Sequence, residues 1–462
     1  MTNDRPTATE RLASFISELQ IGNVGSDVIA ALRLAALDCI GVTIAGVKEP
    51  VAEIARQLAV NVQVHGATIL GFGGTATVAS TAFVNGTLSH ACDYDDSSFS
   101  MWGHPTAPVL AAALAASEWK GRIGLDFLSC LLVGLETEKA IGLLIQPEHY
   151  KRGWHPTGTL GIFGATAAAC KALKLTASQT ANALGIATSR SAGIRINVGT
   201  SVKPMHVGFS ARDGIECAML AAAGAHANRA AFEGLDGWFQ CYTTFSGDTD
   251  RALSQLGKPF EVISPGLAYK LYPCCADLHA SVDAAIALRD RHKLRPGDIK
   301  SIRCGITPLA ANNSPYPRPT TPSQAKFSQE YCVATALVRG RLTLEEFTAD
   351  AIRDPSVLAL LPLIDAKIVP DLSGEDAVSF ASPAIVEVET KTGDIFRMRV
   401  DEMLGHPKNP MSPETMIKKF QQCSAGIVGS AAAERASELI MKIDQLPNLD
   451  PLVHCLVQKT RP

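Results

Sequence analysis

The fold is decided by the stretch Gly161-Ile-Phe-Gly-Ala-Thr-Ala-Ala-Ala169, together with the earlier run Ala111-Ala-Ala-Leu-Ala-Ala116. Both stretches are rich in glycine and alanine, so helix backbones can approach one another closely in a tightly packed core. Around them, apolar residues recur at helical spacing from Ala8 to about Ser264. One such stripe consists of Leu12, Phe15, Ile16 and Leu19. The spacing predicts a large all-helical domain.

The pattern changes near Pro265, where short alternations typical of strands appear among the helices. The clearest is a hairpin, in which Val386 and Val388 alternate with Glu387 and Glu389, residues 391–394 turn, and Phe396, Met398 and Val400 alternate with Arg397 and Arg399. We expect its glutamates to face its arginines across the strands. Another strand is predicted at Ile302, Cys304 and Ile306. Helices are predicted from about His279, from about Gln324 to Val338 with Gly340 as its stop, and after the capping box Thr343-x-x-Glu346.

After a linker at residues 405–410, Ser412-Pro413 is a helix start, with a serine cap and proline at the first helical position. Helix then returns and continues to the C-terminus. The predicted fold is therefore mainly α. A large helical domain is built from both chain ends (residues 1–264 and 408–462), and a smaller α+β domain (residues 265–407) is inserted between them.

Composition limits the function classes. Apolar residues make up 47% of the 462 residues and charged residues 19%, and the net charge is −3. Such a balance does not suit a nucleic-acid binder. The longest apolar runs contain Arg33, Asp38 or Glu136, so we expect no membrane span. The polar N-terminus favours a cytoplasmic protein. The twelve cysteines form no C-x-x-C pair, and we expect free thiols and no structural zinc.

Familiar cofactor signatures are missing. The segment from Gly71 to Ala76 lacks the last glycine of G-x-G-x-x-G, and no phosphate-binding loop or H-E-x-x-H motif occurs. Lys203 is the one residue that we considered as a pyridoxal phosphate lysine, and nothing near it resembles a phosphate cup. The sequence predicts no cofactor and no metal.

Polar residues instead concentrate in four stretches. The first runs from His90 to Ser97, includes Asp93, Asp95 and Asp96, and is followed by Gly103-His104-Pro105-Thr106. Its three carboxylates are of a type that binds Mg²⁺, caps a helix or orients His104. The second stretch, from His149 to Thr157, places Tyr150, Arg152 and His155 before a helix start, which would favour an anion.

The third stretch is Lys203-Pro204-Met205-His206-Val207-Gly208, with Arg195 upstream, and the fourth is Lys270-Leu271-Tyr272-Pro273-Cys274-Cys275 with His279 behind it. A lysine in an apolar setting acts as an acid or base, clamps a carboxylate, or simply anchors a loop. The adjacent cysteines are typical of packing rather than of a nucleophile.

Together the four stretches resemble the MmgE/PrpD family, whose pattern is H-x-x-D-[FY]-D-D-[ST] with a following G-H-P, then H-P-[TP], K-x-x-H-x-G and K-x-[YW]-P-x-[CS]. The resemblance spans nearly the whole chain. It implies a large helical domain with a smaller α+β domain, a homodimer, and a site between the domains. The site residues that it implies are Asp93, Ser97, His104, His155, Lys203 and His279.

The resemblance also implies carbanion chemistry next to a carboxylate on a small di- or tricarboxylic acid, without a cofactor. We assign His104, Lys203, His279, Asp93 and Tyr150 to catalysis, and Ser97, His155, Thr157, Arg152 and Arg195 to substrate binding. Arg318 is a further candidate for binding a second substrate carboxylate. Epimerisation, decarboxylation and dehydration of the 2-methylcitrate type all remain open. The alternative from another class is a non-catalytic acid-binding protein.

Overall fold

A computed structural model describes residues 5–59, 66–244, 249–372 and 382–458. Its α-helices are α1 (Ala8–Glu18), α2 (Ser26–Ala45), α3 (Pro50–Gln57), α4 (Val78–Ala91), α5 (Thr106–Trp119), α6 (Gly124–Ile145), α7 (Glu148–Lys151), α8 (Pro156–Thr159), α9 (Gly161–Leu173), α10 (Ala177–Thr188), α11 (Val202–Ala222), α12 (Trp238–Tyr242), α13 (Thr249–Ser254), α14 (His279–His292), α15 (Pro308–Asn313), α16 (Pro322–Ala325), α17 (Gln329–Arg339), α18 (Pro355–Leu358), α19 (Pro413–Val428), α20 (Ser430–Ile440) and α21 (Asp450–Cys455). The strands are β1 (Ala67–Thr68), β2 (Thr75–Ala76), β3 (Ser97–Ser98), β4 (Leu267–Ala268), β5 (Ile299–Ile306), β6 (Ile364–Ile368), β7 (Ala384–Thr390) and β8 (Ile395–Val400). The prediction of a mainly α fold with a small sheet region is confirmed.

Helix α9, which contains the glycine- and alanine-rich residues 161–169, is buried among α5, α6 and α11. Glycines allow the close approach: a Cβ on Gly134 of α6 would lie 2.8 Å from the carbonyl oxygen of Gly164 in α9. The same holds where α11 crosses α4, because a Cβ on Gly208 would lie 2.5 Å from the carbonyl oxygen of Phe83. Any larger residue would push these helices apart.

Helix α2 and the turn after it, Ser26–Lys48, are long and apolar enough to cross a membrane by length and composition, although the sequence argument expected Arg33 and Asp38 to exclude a span. In the structure, 72% of the apolar window is buried inside the protein. Leu32, Leu37 and Ile40 belong to a core cluster that also contains Phe420 of α19 and Leu452 of α21. Helix α2 therefore packs as a core helix. Its N-cap is Gly25, which makes no side-chain cap hydrogen bond.

The C-terminal helices return to the N-terminal part of the chain. Helix α19 begins as predicted, with the Ser412 hydroxyl accepting the N–H of Thr415 and Pro413 at the first position. It packs along α2, and Lys419 forms a buried ion pair with Asp38 across this contact (2.6 Å). The predicted division at residues 264/265 and 407/408 stays a prediction, and this packing supports it.

Four strands form a mixed sheet in the order β6-β5-β7-β8, with β5 and β6 parallel and the other pairs antiparallel. The predicted hairpin is β7 and β8, and Glu387 faces Arg397 across it. Strand β7 lies between β5 and β8, so its glutamates can also reach β5. Glu387 forms its ion pair with Arg303 and Glu389 with Lys300, both in β5, instead of with the arginines of the hairpin.

Two helix predictions in the α+β part need correction. The helix from about Gln324 to Val338 is divided into α16 and α17, although Gly340 ends it in the left-handed conformation as expected (φ 67°). The capping box of Thr343 and Glu346 is present, yet it opens only the short 3-10 helix Leu344–Phe347. Helix α14 begins at His279 as predicted. All twelve cysteines lie within the described residues and are unpaired, and most of them are buried.

Candidate active site

A cavity of about 630 Å³ opens where loops of the helical part meet α15 and the segment after β4. Most of the predicted site residues line it: Asp93, His104, Tyr150, Arg152, His155, Thr157, Arg195 and Lys203. Among the described residues the lining carries four cationic side chains, with Lys270 as the fourth, and one carboxylate. The cavity is therefore positively charged and suits an anionic ligand.

Asp93 is held by two lysines, Lys203 and Lys270, and we call these three residues the Asp93 clamp. Asp93 follows the end of α4 and adopts the left-handed backbone conformation (φ 51°), which is uncommon for a residue other than glycine. Its Oδ1 accepts a hydrogen bond from Lys203, and its Oδ2 and main-chain oxygen accept from Lys270 at 3.0 and 2.8 Å. Burial opposes its ionisation, but the two ammonium charges lower the pKa of Asp93 well below its usual range. Although burial alone would lower it, Asp93 raises the pKa of Lys270.

Lys203 has a second acceptor, His90, whose Nε2 lies 2.8 Å from the ammonium nitrogen. An ammonium group only donates, so Nε2 of His90 is unprotonated and its proton is on Nδ1. Nδ1 donates to Asp95 at 2.8 Å, and His90 and Asp95 are completely buried. Asp93 and His90 occupy two of the three N–H donors of Lys203. The third remains for the cavity that Lys203 lines.

His104 is fixed from both sides. Its Nδ1 donates to the main-chain oxygen of Asp96 at 2.9 Å, which leaves Nε2 as the acceptor, 3.8 Å from Asp93. Its main-chain N–H donates to the Thr157 hydroxyl at 3.1 Å. Burial holds the pKa of His104 well below its usual value. The imidazole is therefore neutral, and Nε2 is available as a base.

Asp96 has a structural role at the start of α5. Its carboxyl group contacts the hydroxyl and the main-chain N–H of Thr106. Burial raises the pKa of Asp96 to about 8. The three carboxylates of the first polar stretch therefore have separate partners.

His155 adopts the extended conformation expected before proline (φ −98°, ψ 101°). Its Nδ1 lies 3.0 Å from Nδ1 of His206. Burial lowers the pKa of both histidines, in His206 to about 4, so both are neutral near pH 7. The helix start that follows is short: α8 is a single turn, and the N–H groups of Gly158 and Thr159 already donate to the His155 carbonyl, so neither is left for the expected anion.

Tyr150 and Arg195 form a second polar cluster on the cavity wall. The guanidinium carbon of Arg195 lies 3.7 Å from the centre of the Tyr150 ring. The Tyr150 hydroxyl and Nη2 of Arg195 both donate to Oδ1 of Asn313, at 2.7 and 2.8 Å. Burial raises the pKa of Tyr150, so the phenol stays neutral, and its one proton is engaged in the hydrogen bond to Asn313. Arg152, at the end of α7, is partly exposed and lies 3.9 Å from Glu148.

Three predicted residues lie outside the cavity lining. His279 is completely buried at the start of α14, beside the Tyr272 ring, and Cys274 offers its Nε2 only a long contact at 3.4 Å. Burial lowers its pKa to about 3. Ser97 is buried in β3, and its hydroxyl has no partner among the described residues. Arg318 lies on an exposed loop.

Four residues that the sequence argument did not assign belong to the site or touch it: Lys270, His90, Cys275 and Asn313. The first three occur in the polar stretches that the sequence singled out, so their neighbours were the available signal. Asn313 lies in a polar segment at the end of α15 with no motif around it.

His90, Asp93, Asp95 and His104 offer ligand atoms that all lie within 4.8 Å of one another, which is geometrically sufficient for a metal ion. However, the two lysines of the Asp93 clamp bind both oxygens of that carboxylate and add two positive charges. A cation would have to displace them and would be repelled by them. The donor set therefore fits a lysine-bound carboxylate better than a metal.

The chain matches the MmgE/PrpD N-terminal domain over residues 10–249 and the MmgE/PrpD C-terminal domain over residues 272–445. Similar curated proteins include the cis-aconitate decarboxylase of Homo sapiens, with 27% identity over 97% of this chain and 94% of that protein. The cis-aconitate decarboxylase of Aspergillus terreus is 26% identical over 98% of this chain and 97% of the relative. The resemblance read from the four polar stretches is thus confirmed. The chain belongs to the MmgE/PrpD family.

Proposed function

We propose that this protein is a lyase that decarboxylates a small di- or tricarboxylic acid without a cofactor, with Lys203 as the proton donor. Its family and its similarity to cis-aconitate decarboxylases support a lyase-type enzyme. The observation that carries the finer proposal is the Asp93 clamp. It holds a lysine ammonium at the wall of a cavity with excess positive charge, and two of that ammonium's three donors are already occupied.

Fixed positive charge serves both parts of the reaction. Substrate carboxylates bind to the cationic wall, and negative charge that develops on the substrate during the reaction meets donors that are already in place. The clamp keeps Lys203 in one position, so no reorganisation is needed when the charge appears. Apolar and aromatic side chains such as Trp102, Val198 and Phe327 complete the lining and limit water around the departing carboxylate.

In the proposed reaction, the bond between the carboxylate carbon and its neighbouring carbon breaks. CO₂ leaves, and the electron pair stays on the substrate carbon as a carbanion conjugated with a remaining carboxylate. Lys203 donates its third proton to a carbon of this delocalised carbanion and is protonated again by solvent after the product leaves. His104, whose Nε2 is unprotonated, serves as the base when the reaction begins with proton abstraction.

Epimerisation is the second candidate, and a specific observation favours it. Tyr150 is a neutral phenol that lines the same cavity but belongs to a different hydrogen-bond cluster from Lys203. Two donors on separate parts of the wall would allow a carbanion to be protonated on either face, provided that the Tyr150 hydroxyl turns from Asn313 to the substrate. Dehydration would require one of them to protonate a leaving hydroxyl group. All these reactions share the carbanion.

The test is proton NMR of the enzyme in D₂O with cis-aconitate, 2-methylcitrate, citrate and iminodisuccinate. Decarboxylation should remove one carbon and place one deuterium on a carbon of the former carbanion, whereas epimerisation should exchange a hydrogen with no loss of carbon. Lys203→Met should lower kcat/KM by several orders of magnitude, and Lys151→Met, an exposed lysine outside the cavity lining, should not. Tight binding of these acids with no exchange in any of them would favour the non-catalytic acid-binding protein instead.

We also propose a homodimer. Large apolar side chains are exposed on α11 and the loop before it, namely Ile194, Ile196, Val202, Phe209, Met219 and Leu220. Ile194 and Ile196 also line the cavity, so a partner covering this face would narrow its mouth. Sedimentation equilibrium tests the proposal, and a monomer at micromolar concentration would overturn it. The cytoplasmic location and the lack of nucleic-acid or membrane partners stay predictions.

A further inference from the structure

The strongest feature that the proposed chemistry leaves unexplained is the side-chain amide of Asn313. It is buried at the end of α15, and it joins two residues of the helical part to the α+β part. Its Oδ1 accepts from Tyr150 and Arg195, as described above. Its Nδ2 donates to Oδ2 of Asp277 at 2.8 Å.

The orientation of this amide is determined by its partners. Arg195 only donates and a carboxylate such as Asp277 only accepts, so Oδ1 must face Arg195 and Nδ2 must face Asp277. Asp277 is fixed in turn, because its Oδ1 accepts from the main-chain N–H and the hydroxyl of Ser382, at 3.3 and 2.9 Å. The amide therefore cannot rotate without breaking charge-assisted hydrogen bonds.

This anchorage fixes the plane of the Arg195 guanidinium. The group lies over the Tyr150 ring and uses one N–H on Asn313 and another on the main-chain oxygen of Tyr150, at 3.3 Å. A guanidinium has five N–H donors, so these two bonds leave three others, and Arg195 lines the cavity. A planar pair of donors held in one orientation matches a carboxylate.

We propose that Asn313 is a positioning residue that holds Arg195 as the binding site for a second substrate carboxylate. This inference rests on the proposed function and adds a specificity rule to it. One carboxylate binds on the Lys203 side of the cavity and the other at Arg195, so the enzyme prefers acids that carry both. Asp277 acts one step further away, by holding the amide in its orientation.

Binding of two unreactive acids tests the proposal without any turnover. Succinate and its monomethyl ester differ in one carboxylate, and isothermal titration of the full-length protein gives the ratio of their dissociation constants. We expect the unaltered protein to prefer succinate. Asn313→Ala should reduce this preference by about tenfold to a hundredfold, with little change in the affinity for the ester. Arg195→Gln should have the same effect, and the two substitutions together should cost no more than either alone.

A paired exchange separates positioning from a merely structural role. Asn313→Asp alone places two carboxylates face to face and should abolish the preference. Asn313→Asp combined with Asp277→Asn satisfies the hydrogen bonds to Tyr150, Arg195 and Ser382 again and should restore most of it. Ser314→Ala, which alters the next residue without touching the network, should leave the ratio unchanged.

Three results would overturn the proposal: no preference for succinate in the unaltered protein, an equal loss of affinity for both acids in Asn313→Ala, or no recovery in the paired exchange. Because neither acid reacts, these results are independent of the proposed decarboxylation. An enzyme inactive on every acid in the NMR panel could still bind succinate as described. An active enzyme could lack the preference.

Discussion

Replacing Lys419 with methionine should destabilise the protein strongly, because it strands a buried carboxylate. Lys419 and Asp38 are 3% and 0% exposed at their side chains, and Nζ donates to Oδ1 at 2.6 Å. The other oxygen of Asp38 has no partner among the described residues. Without Lys419, the carboxylate must remain charged in an apolar core or take up a proton.

The loss of unfolding free energy can be worked out for the case in which Asp38 takes up a proton. Burial already raises the pKa of Asp38 above its ordinary value of 3.8 despite the nearby lysine. Protonating a carboxyl costs ~1.4 kcal/mol for each unit by which the pH exceeds its pKa. For a carboxyl of ordinary pKa at pH 7, the cost is about 4 kcal/mol. Removing one partner from a buried ion pair costs about 3–5 kcal/mol in other proteins, which agrees. The deficit relative to the parent should shrink to below about 2 kcal/mol at pH 5, because protonation is then easier.

Urea denaturation followed by tryptophan fluorescence measures this difference. Lys418→Met, which removes the exposed lysine next to it, is the matched control and should change little. The double variant Asp38→Leu/Lys419→Met should recover most of the lost stability, since no unpaired charge is then left at this contact. The reasoning is refuted if Lys418→Met and Lys419→Met unfold alike, or if the double variant is no more stable than Lys419→Met.

The same experiment bears on the predicted domain division. Asp38 lies in α2 and Lys419 in α19, on opposite sides of the inserted α+β segment. If the C-terminal helices complete the helical domain, Lys419→Met should loosen them. Proteolysis within residues 405–412 should then become faster, and in Lys418→Met it should not.

Three further predictions concern packing, pH and the site. Gly208→Ala should cost about 1–3 kcal/mol in urea denaturation, because its Cβ would lie 2.5 Å from the carbonyl oxygen of Phe83, whereas Gly297→Ala, with nothing within 4 Å, should be neutral. Burial lowers the pKa of His206 from 6.5 to about 4. The protein should therefore lose stability as the pH falls from 6.5 to 4, and thermal melts of His206→Gln should show a smaller loss over the same range. His90→Gln should lower kcat by about 10- to 100-fold and leave substrate binding nearly intact in steady-state kinetics, since His90 orients Lys203 without lining the cavity; an unchanged kcat would contradict that role.

Local patterns predicted much of this fold because they report local physics. The glycines and alanines of α9 indicate how closely neighbouring helices approach, and the alternation at residues 386–400 indicates a half-buried hairpin. What the alternation cannot show is which strand lies on the other side of β7. Glu387 therefore found its partner in Arg303, 84 residues away, and not in the arginine of its own hairpin.

The residues of the site likewise fall into those that a local sequence pattern reveals and those that it does not. Asp93, His104 and Lys203 were recognisable because each lies in a polar run within an otherwise apolar region. Asn313 has no such context, and its importance comes from residues 163 and 118 positions earlier in the chain. The clamp on Asp93 likewise depends on Lys270, 177 residues away. A residue whose function comes from distant partners leaves no local mark in one sequence.

The sequence His-Pro-Thr occurs at residues 104–106 and 155–157. These two motifs show why the role of a residue cannot be predicted even where its motif is recognised. Both place a histidine before a helix, and both imidazoles are buried and neutral. His104 donates from Nδ1 to a carbonyl, so Nε2 is its basic atom, directed towards Asp93. His155 meets the ring of His206 with Nδ1, so at most one of the two contacting nitrogens carries a proton. The same three residues thus produce a base in one place and a shared hydrogen bond in the other, and the difference is set by Asp96 and His206, which lie outside the motif.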